Sequence, residues 1–253
     1  MLNIVSIMIL VILLSVNYFV ANVPWWYFVV LACAYLLIVF DGCVRISSGF
    51  FIPVACKANT NEKIIALSFD DGPHPTWTPL ILDTLRIYDA PAAFFCIGKN
   101  INGNEALLKR IKDEGHIAGN HSYSHHFWFD LFGSKRMLAD MWQMDTAVLN
   151  IIGIKPALFR PPYGVINPNL KKAIKNGGYI PVGWSIRSLD TVIKDKQKLL
   201  SRIMKQVKPG AIILLHDSVE ITSDILPELI EQIKNKGFRI VRPDKMLNVK
   251  AYE

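Results

Sequence analysis

The sequence predicts an α/β fold, a distorted or incomplete (β/α) barrel preceded by an N-terminal transmembrane helical hairpin. Three observations carry this reading: an uncharged apolar front, alternation of strand-like and helix-like runs behind it, and polar residues gathered at the C-terminal ends of those strands. Mean hydropathy is +0.28, high for a wholly soluble chain. The apolar excess sits in residues 1–40, which hold no Lys, Arg, Asp or Glu and include 34 hydrophobic residues. All 49 charged residues lie in 41–253, the charge density of an ordinary globular domain. Disorder, collagen and a disulfide-stapled miniprotein are excluded.

The apolar front divides into 2–20 and 25–40, the second extending to Val44 if it runs through Asp41, Gly42 and Cys43. Spanning the hydrocarbon takes about 20 apolar residues. Between the segments, Ala21-Asn22-Val23-Pro24 breaks the helix, and Trp25, Trp26 and Tyr27 follow where an interfacial aromatic belt belongs. The rival reading of the first segment, a signal peptide, lacks a positive n-region and is followed at once by more apolar chain. The organisation expected is therefore two membrane helices over 1–44, a connector over 45–60 and a single globular domain over 61–253. A multi-pass membrane protein with the lipid bilayer as a partner follows. The side of the membrane stays open, since only Arg45 and Lys57 bias the count.

Behind the connector, strands are expected at 64–69, 92–97, 116–119, 158–160, 179–186, 211–215 and 238–241. Helices are expected at 76–88, 105–114, 134–152, 168–176, 196–207 and 224–236. Ser134 and Asp224 stand as N-caps, and Gly115, Gly153, Gly177 and Gly237 as helix stops. This alternation implies parallel strands with helical crossovers, in an open sheet or a barrel. Polar residues decide between the two. Asp70-Asp71, His121 and His125, Arg160, Asp190 and His216-Asp217 each follow a strand, and barrel strand ends converge on one mouth.

Four cysteines without a CxxC imply neither a disulfide framework nor a zinc ribbon. The net charge of +7 is scattered and lacks an aromatic-interleaved basic stripe, so no nucleic-acid partner is expected. Four of six histidines fall at 116–126, and His121 and His125 are spaced to chelate one ion if they share a helical turn. The adjacent carboxylates Asp70 and Asp71 repel each other, so they call for a cation or a division of labour. Each motif alone has a plain reading: a polar loop, an Asp-Gly turn, a rigid proline loop, a capped helix.

Taken in order, Phe69-Asp70-Asp71-Gly72-Pro73, His121-Ser122-x-x-His125, Arg160-x-Pro162-Tyr163 and Leu214-x-His216-Asp217 resemble the polysaccharide deacetylase family, the NodB-homology domain of carbohydrate esterase family 4. The resemblance spans about residues 61–245. It implies Asp70 as general base, Asp71, His121 and His125 as metal ligands, and Arg160 as the residue that orients the base. It further implies an oxyanion contact from the backbone near Tyr163, a pocket wall from Leu214 and His216 as general acid. The ion implied is zinc, with cobalt, manganese or nickel as alternatives.

One motif departs from the family pattern. Trp184-Ser185-Ile186-Arg187-Ser188-Leu189-Asp190-Thr191 keeps Trp184 and Asp190, the partner of His216, but carries Arg187 and Thr191 where the family has Asp and Trp. Arg187 either recognises a phosphate or carboxylate on the ligand or is a solvated structural arginine. The activity implied is metal-assisted removal of N-acetyl groups from an acetylated amino-sugar glycan of chitin or peptidoglycan type. The alternatives are O-deacetylation, a lipid-linked sugar as substrate, or a carbohydrate-binding pseudoenzyme.

Overall fold

The structure, a computed structural model, describes residues 2–20 and 22–253. In chain order the elements are α1 (Leu2–Phe19), α2 (Trp26–Val44), β1 (Ile64–Asp70), α3 (Trp77–Ile87), β2 (Ala92–Cys96), α4 (Gly98–Ile101), α5 (Glu105–Asp113) and β3 (Ile117–Asn120). They continue with α6 (Ser134–Ile152), β4 (Leu158–Phe159), α7 (Pro168–Gly177), β5 (Ile180–Pro181), β6 (Ile186–Arg187), α8 (Lys196–Met204), β7 (Ala211–His216), α9 (Glu220–Asn235), β8 (Arg239–Ile240) and α10 (Pro243–Leu247).

All strands run parallel in one curled sheet of order β5-β4-β3-β2-β1-β7-β6, with β8 beside the start of β1. The sheet is a half-barrel, since β5 and β6 are both edges. The single strand expected at 179–186 is in fact two, β5 and β6, on opposite edges of the sheet. The chain leaves β4's side at Val182-Gly183 and crosses the seam to reach β7. An isolated bridge joins Ala55 to Val182 and another joins Lys57 to Ala211, so residues 55–57 lie in that seam.

Period-two alternation sorts the strand residues between two faces. From β1, Ile65, Leu67 and Phe69 join Phe94, Ile213 and Leu215 in the core under the helices. Ala66, with Ala93, Phe95, Leu158 and Ile212, lines the opposite, concave face. Both faces are buried, as parallel sheets require. Ser68 and Asp70 follow Ala66 on the concave face, and Leu214 and His216 follow Ile212. One alternation therefore carries side chains from the packed floor to the site.

Helix ends differ from expectation in three places. Ser134 is the first residue of α6 and caps nothing by its side chain. Asp224 lies inside α9 and pairs with Lys196 at 3.0 Å. Gly178, not Gly177, takes the left-handed conformation after α7, with φ 72°. The caps that do bond are Asn167, accepting from the Leu170 N–H at 2.9 Å, and Asp195, accepting from Lys198 at 2.7 Å.

At the front, α2 is long and apolar enough to cross a membrane: 19 residues at a hydropathy of 2.2. Val5–Phe19 is a shorter apolar helix, so one spanning helix rather than two meets that measure among the described residues. Ala21, the first residue of the expected break, lies outside the described residues. The end of α2 and the chain after it are packed on the domain: the Ile166 N–H donates to the Cys43 carbonyl at 2.9 Å, and Ile46 and Cys56 are buried.

Candidate active site

The strand tips bring the sequence-distant motifs together. Asp70 and His216 are register partners on neighbouring strands, as are Ser68 and Leu214. Arg160, the residue after β4, is fully buried and reaches across the concave face. Its Nη1 donates to Asp70 Oδ1 at 2.7 Å and to Ser68 Oγ at 2.9 Å. Its Nη2 and Nε donate to the carbonyls of Gly183 at 2.9 Å and Val182 at 3.2 Å. The guanidinium also lies 4.0 Å from the Phe95 ring centroid and 5.7 Å from that of Trp184. A buried cation with this many acceptors stays paired with Asp70 and pins that carboxylate.

Asp71 turns away from Asp70 because it adopts the left-handed region, with φ 75°. Its Oδ1 lies 3.5 Å from His121 Nε2 and 3.4 Å from His125 Nε2. Ligand bonds of about 2.0–2.2 Å in a tetrahedron put neighbouring donors about 3.3–3.6 Å apart, so the two spacings suit zinc-sized coordination. The tautomer also fits. His121 Nδ1 lies 2.8 Å from the Arg160 carbonyl, which can only accept, so Nδ1 keeps a proton and Nε2 is the nitrogen left to ligate a metal once the ring is neutral. Asp71, His121 and His125 thus form a group that could hold a metal ion.

The two histidines are brought together by a loop rather than the helical turn their spacing suggests. Ser122 and His125 both have positive φ, 66° and 43°. The loop is tied by Asn120 Oδ1, which accepts from the Ser122 N–H at 2.8 Å, and by Asp140 Oδ1, which accepts from the Tyr123 N–H at 2.7 Å. His116 and His126 stay outside the site: His116 Nδ1 accepts from the Ala92 N–H, and His126 Nδ1 from the Trp128 N–H.

Electrostatics follow from these contacts. Burial pushes Asp71 up, but the hydrogen bond from His121 and the charges of both histidines hold it below the usual carboxylate range. Burial and the charge of His121 hold His125 down, at about 4. Burial also opposes the charged form of His121, yet Asp70 and Asp71 raise it above its ordinary value.

On the other side of the mouth, Asp190 is buried and grips His216. Its Oδ1 lies 2.7 Å from His216 Nδ1, while its Oδ2 accepts from the His216 backbone N–H at 2.7 Å. Ser188 and Thr222 hydroxyls donate to the same carboxylate at 2.9 and 2.6 Å. Burial alone would lower His216, but the Asp190 hydrogen bond and charge prevail and push it up to about 9.

Of the remaining expected residues, Leu214 is buried on β7, and Tyr163 sits at φ 58° with its ring centroid 4.8 Å from that of His125. The Tyr163 N–H has no acceptor among the described residues, whereas the Gly164 N–H bonds the Pro161 carbonyl. Trp184 packs over Gly164, and Arg187 is exposed on β6, in register with Leu214 on β7. Sequence reasoning gave no role to Ser68, Ser188 and Thr222, and read Asp217 only as a strand-end residue that could cap a helix. Ser68 was findable by alternation from Asp70. Asp217 caps no helix but is buried beneath Gly72, accepting from Thr78 Oγ1 at 2.6 Å and held up at about 7 by burial.

A parallel half-barrel whose strand tips join a His-His-Asp cluster, an arginine-pinned carboxylate and a carboxylate-bound imidazole belongs to the class of acyl-cleaving hydrolases. A family model for polysaccharide deacetylase matches residues 57–182. A peptidoglycan-N-acetylglucosamine deacetylase of Bacillus cereus is 36% identical over 215 residues, covering 78% of this chain and 94% of that one. The peptidoglycan-N-acetylmuramic acid deacetylase PdaC of Bacillus subtilis is 33% identical over 199 residues, 79% of this chain but only 42% of PdaC. The crystal structure of the Bc1960 peptidoglycan N-acetylglucosamine deacetylase superimposes with a TM-score of 0.75 at 29% identity, over 79% of this chain and 95% of that one. The chitin deacetylase of the fungal pathogen Colletotrichum lindemuthianum gives 0.73 at 26% identity, over 80% and 97%. The chain belongs to the polysaccharide deacetylase family and hydrolyses N-acetyl amide bonds of glycans.

Proposed function

We propose that the protein is a membrane-anchored, metal-dependent N-deacetylase of an amino-sugar glycan of peptidoglycan or chitin type. The observation that carries the metal is the placing of Asp71 Oδ1 3.4–3.5 Å from two imidazole nitrogens, one of them tautomer-fixed. The observation that favours the anchor is α2, with its apolar length and its direct run into the domain. Residues 61–253 are the catalytic unit, 45–60 connect it, and 1–44 hold it to the bilayer.

In this reading Asp71, His121 and His125 hold a divalent ion, zinc by ligand type, which when bound supplies Lewis acidity toward the acetyl carbonyl and makes water more acidic. Asp70, with Oδ1 pinned by Arg160, takes the proton of the attacking water on Oδ2. The free Tyr163 N–H donates to the developing oxyanion, and Leu214 walls the acetyl methyl. His216, kept charged by Asp190, donates a proton to the departing amine, because an amine anion does not leave at neutral pH. Acetate and a free amino sugar result. Trp184 backs the groove.

The test is acetate release from N-acetylated chitooligosaccharide and from peptidoglycan fragments after chelation, with and without restored zinc or cobalt. Metal-restored release is expected. Equal release by the chelated enzyme overturns the metal dependence, and no release from any N-acetylated glycan overturns the activity.

A further inference from the structure

The seam between the two sheet edges opens into a cleft of about 590 Å³ lined by Val44, Arg45, Lys57, Trp184, Arg187 and Gln206 among others. A second cleft shares Lys57, Ser185 and Gln206 with it and adds Lys205 and Lys208. The joined lining carries five cations and no Asp or Glu. Arg45 pairs with Asp41 outside the lining. Arg187, Lys57, Lys205 and Lys208 make no ion pair among the described residues. Solvated cations usually stand apart or beside carboxylates, so a concave, wholly cationic lining is a place where an anion gains from several charges at once.

We propose that this seam cleft binds a phosphate ester or diphosphate. Arg187 presents a planar fork suited to phosphate oxygens, Lys57 and Lys205 add point charges, and Ser185 and Gln206 supply neutral hydrogen-bonding groups. Trp184 lines this cleft, and its ring centroid also lies 5.7 Å from the guanidinium of Arg160, which pins Asp70. Val44, the last residue of α2, forms part of the wall. If α2 is the anchor, the cleft sits at the level of lipid headgroups, and the phosphate has two sources: an anionic lipid or a soluble phosphorylated ligand. The cationic lining suits a phosphate from either source and is independent of deacetylase activity.

The experiment uses the full chain in non-ionic detergent at low salt. Pyrophosphate is titrated calorimetrically, and in parallel micelles doped with phosphatidic acid or phosphatidylcholine are compared by native mass spectrometry for retained lipid. The variants are Arg187→Gln with Lys57→Gln, Lys205→Gln with Lys208→Gln, and, as an equal charge change elsewhere, Lys171→Gln with Lys172→Gln on α7. All replaced side chains except the half-buried Lys171 are exposed, and thermal melts check folding. Expected is one-to-one binding that weakens at least tenfold in the first pair, less in the second and under twofold in the third. Pyrophosphate binding without lipid retention supports a soluble ligand, and selective phosphatidic acid retention supports a lipid. No binding of either probe, or equal weakening by all three pairs, overturns the proposal.

Discussion

Asp190 holds His216 at both ends, with one carboxylate oxygen 2.7 Å from the ring Nδ1 and the other 2.7 Å from the residue's own backbone N–H. The grip fixes the ring, leaves Nε2 toward the site and raises the imidazole to about 9. A general acid must be protonated, so this raised value should set the basic limb of the pH–rate profile. Asp190→Asn should move that limb to lower pH and reduce turnover while metal content is kept. His216→Ala should remove the limb and slow amide substrates about 10²–10⁴-fold, with activated esters far less affected. An unchanged limb in folded Asp190→Asn would leave Asp190 as a loop tie only.

The same pair makes stability depend on pH. The folded value stands above the ordinary 6.5, so the pair's contribution is complete below that pH and is lost as pH rises through about 9. Wild type should therefore lose thermal stability between these limits more steeply than Asp190→Asn. Parallel melting curves for the two proteins would refute the linkage.

Asp70 and Asp71 are neighbours with separate partners, an arginine for one and two imidazoles for the other. Asp70→Asn should cost about 10²–10⁴-fold in turnover yet bind metal near stoichiometrically. Asp71→Asn, His121→Ala and His125→Ala should each lower metal content itself. Metal analysis of the purified variants checks this, and equal depletion in Asp70→Asn and Asp71→Asn would overturn the division.

Arg160 is buried with Asp70, and removing one partner strands the other charge. Arg160→Met should destabilise by about 3–5 kcal/mol, lowering the melting temperature on the order of 10 °C. Ser68→Ala, which takes away one hydrogen bond, should cost only about 1 kcal/mol. Comparable melts for the two variants would mean that the pair is already relieved by water.

Truncation separates anchor from domain. A chain beginning at Cys43 keeps the Cys43 carbonyl bond to Ile166 and the buried Ile46 and Cys56, and should be soluble, folded and active on a soluble oligosaccharide. A chain beginning at 61 loses the seam pairing of Ala55 and Lys57 and should melt lower. Aggregation of the first, seen by size-exclusion chromatography, would make the apolar front part of the fold.

Local chemistry was written plainly in the sequence. The uncharged front, the strand–helix alternation and the polar residues at strand ends follow from residue type and period, because burial and solvation act on each segment through its neighbours in the chain. The motifs single out Asp70, Asp71, His121, His125, Arg160 and His216, which the strand tips bring together. What only the tertiary structure decided is where distant segments meet. The run 179–186 reads as one strand by composition, yet it divides across the seam because Val182 and Gly183 are claimed by Arg160 and Ala55. The His121–His125 spacing suggests a helical turn, but Asn120 and Asp140 hold a loop with two left-handed residues. Ser188 and Thr222 support Asp190 from separate segments, a relation with no local signature. Hydrogen bonds between residues far apart in the chain depend on which strands become neighbours, and sheet order is set by packing of the whole domain rather than by any one segment's preference.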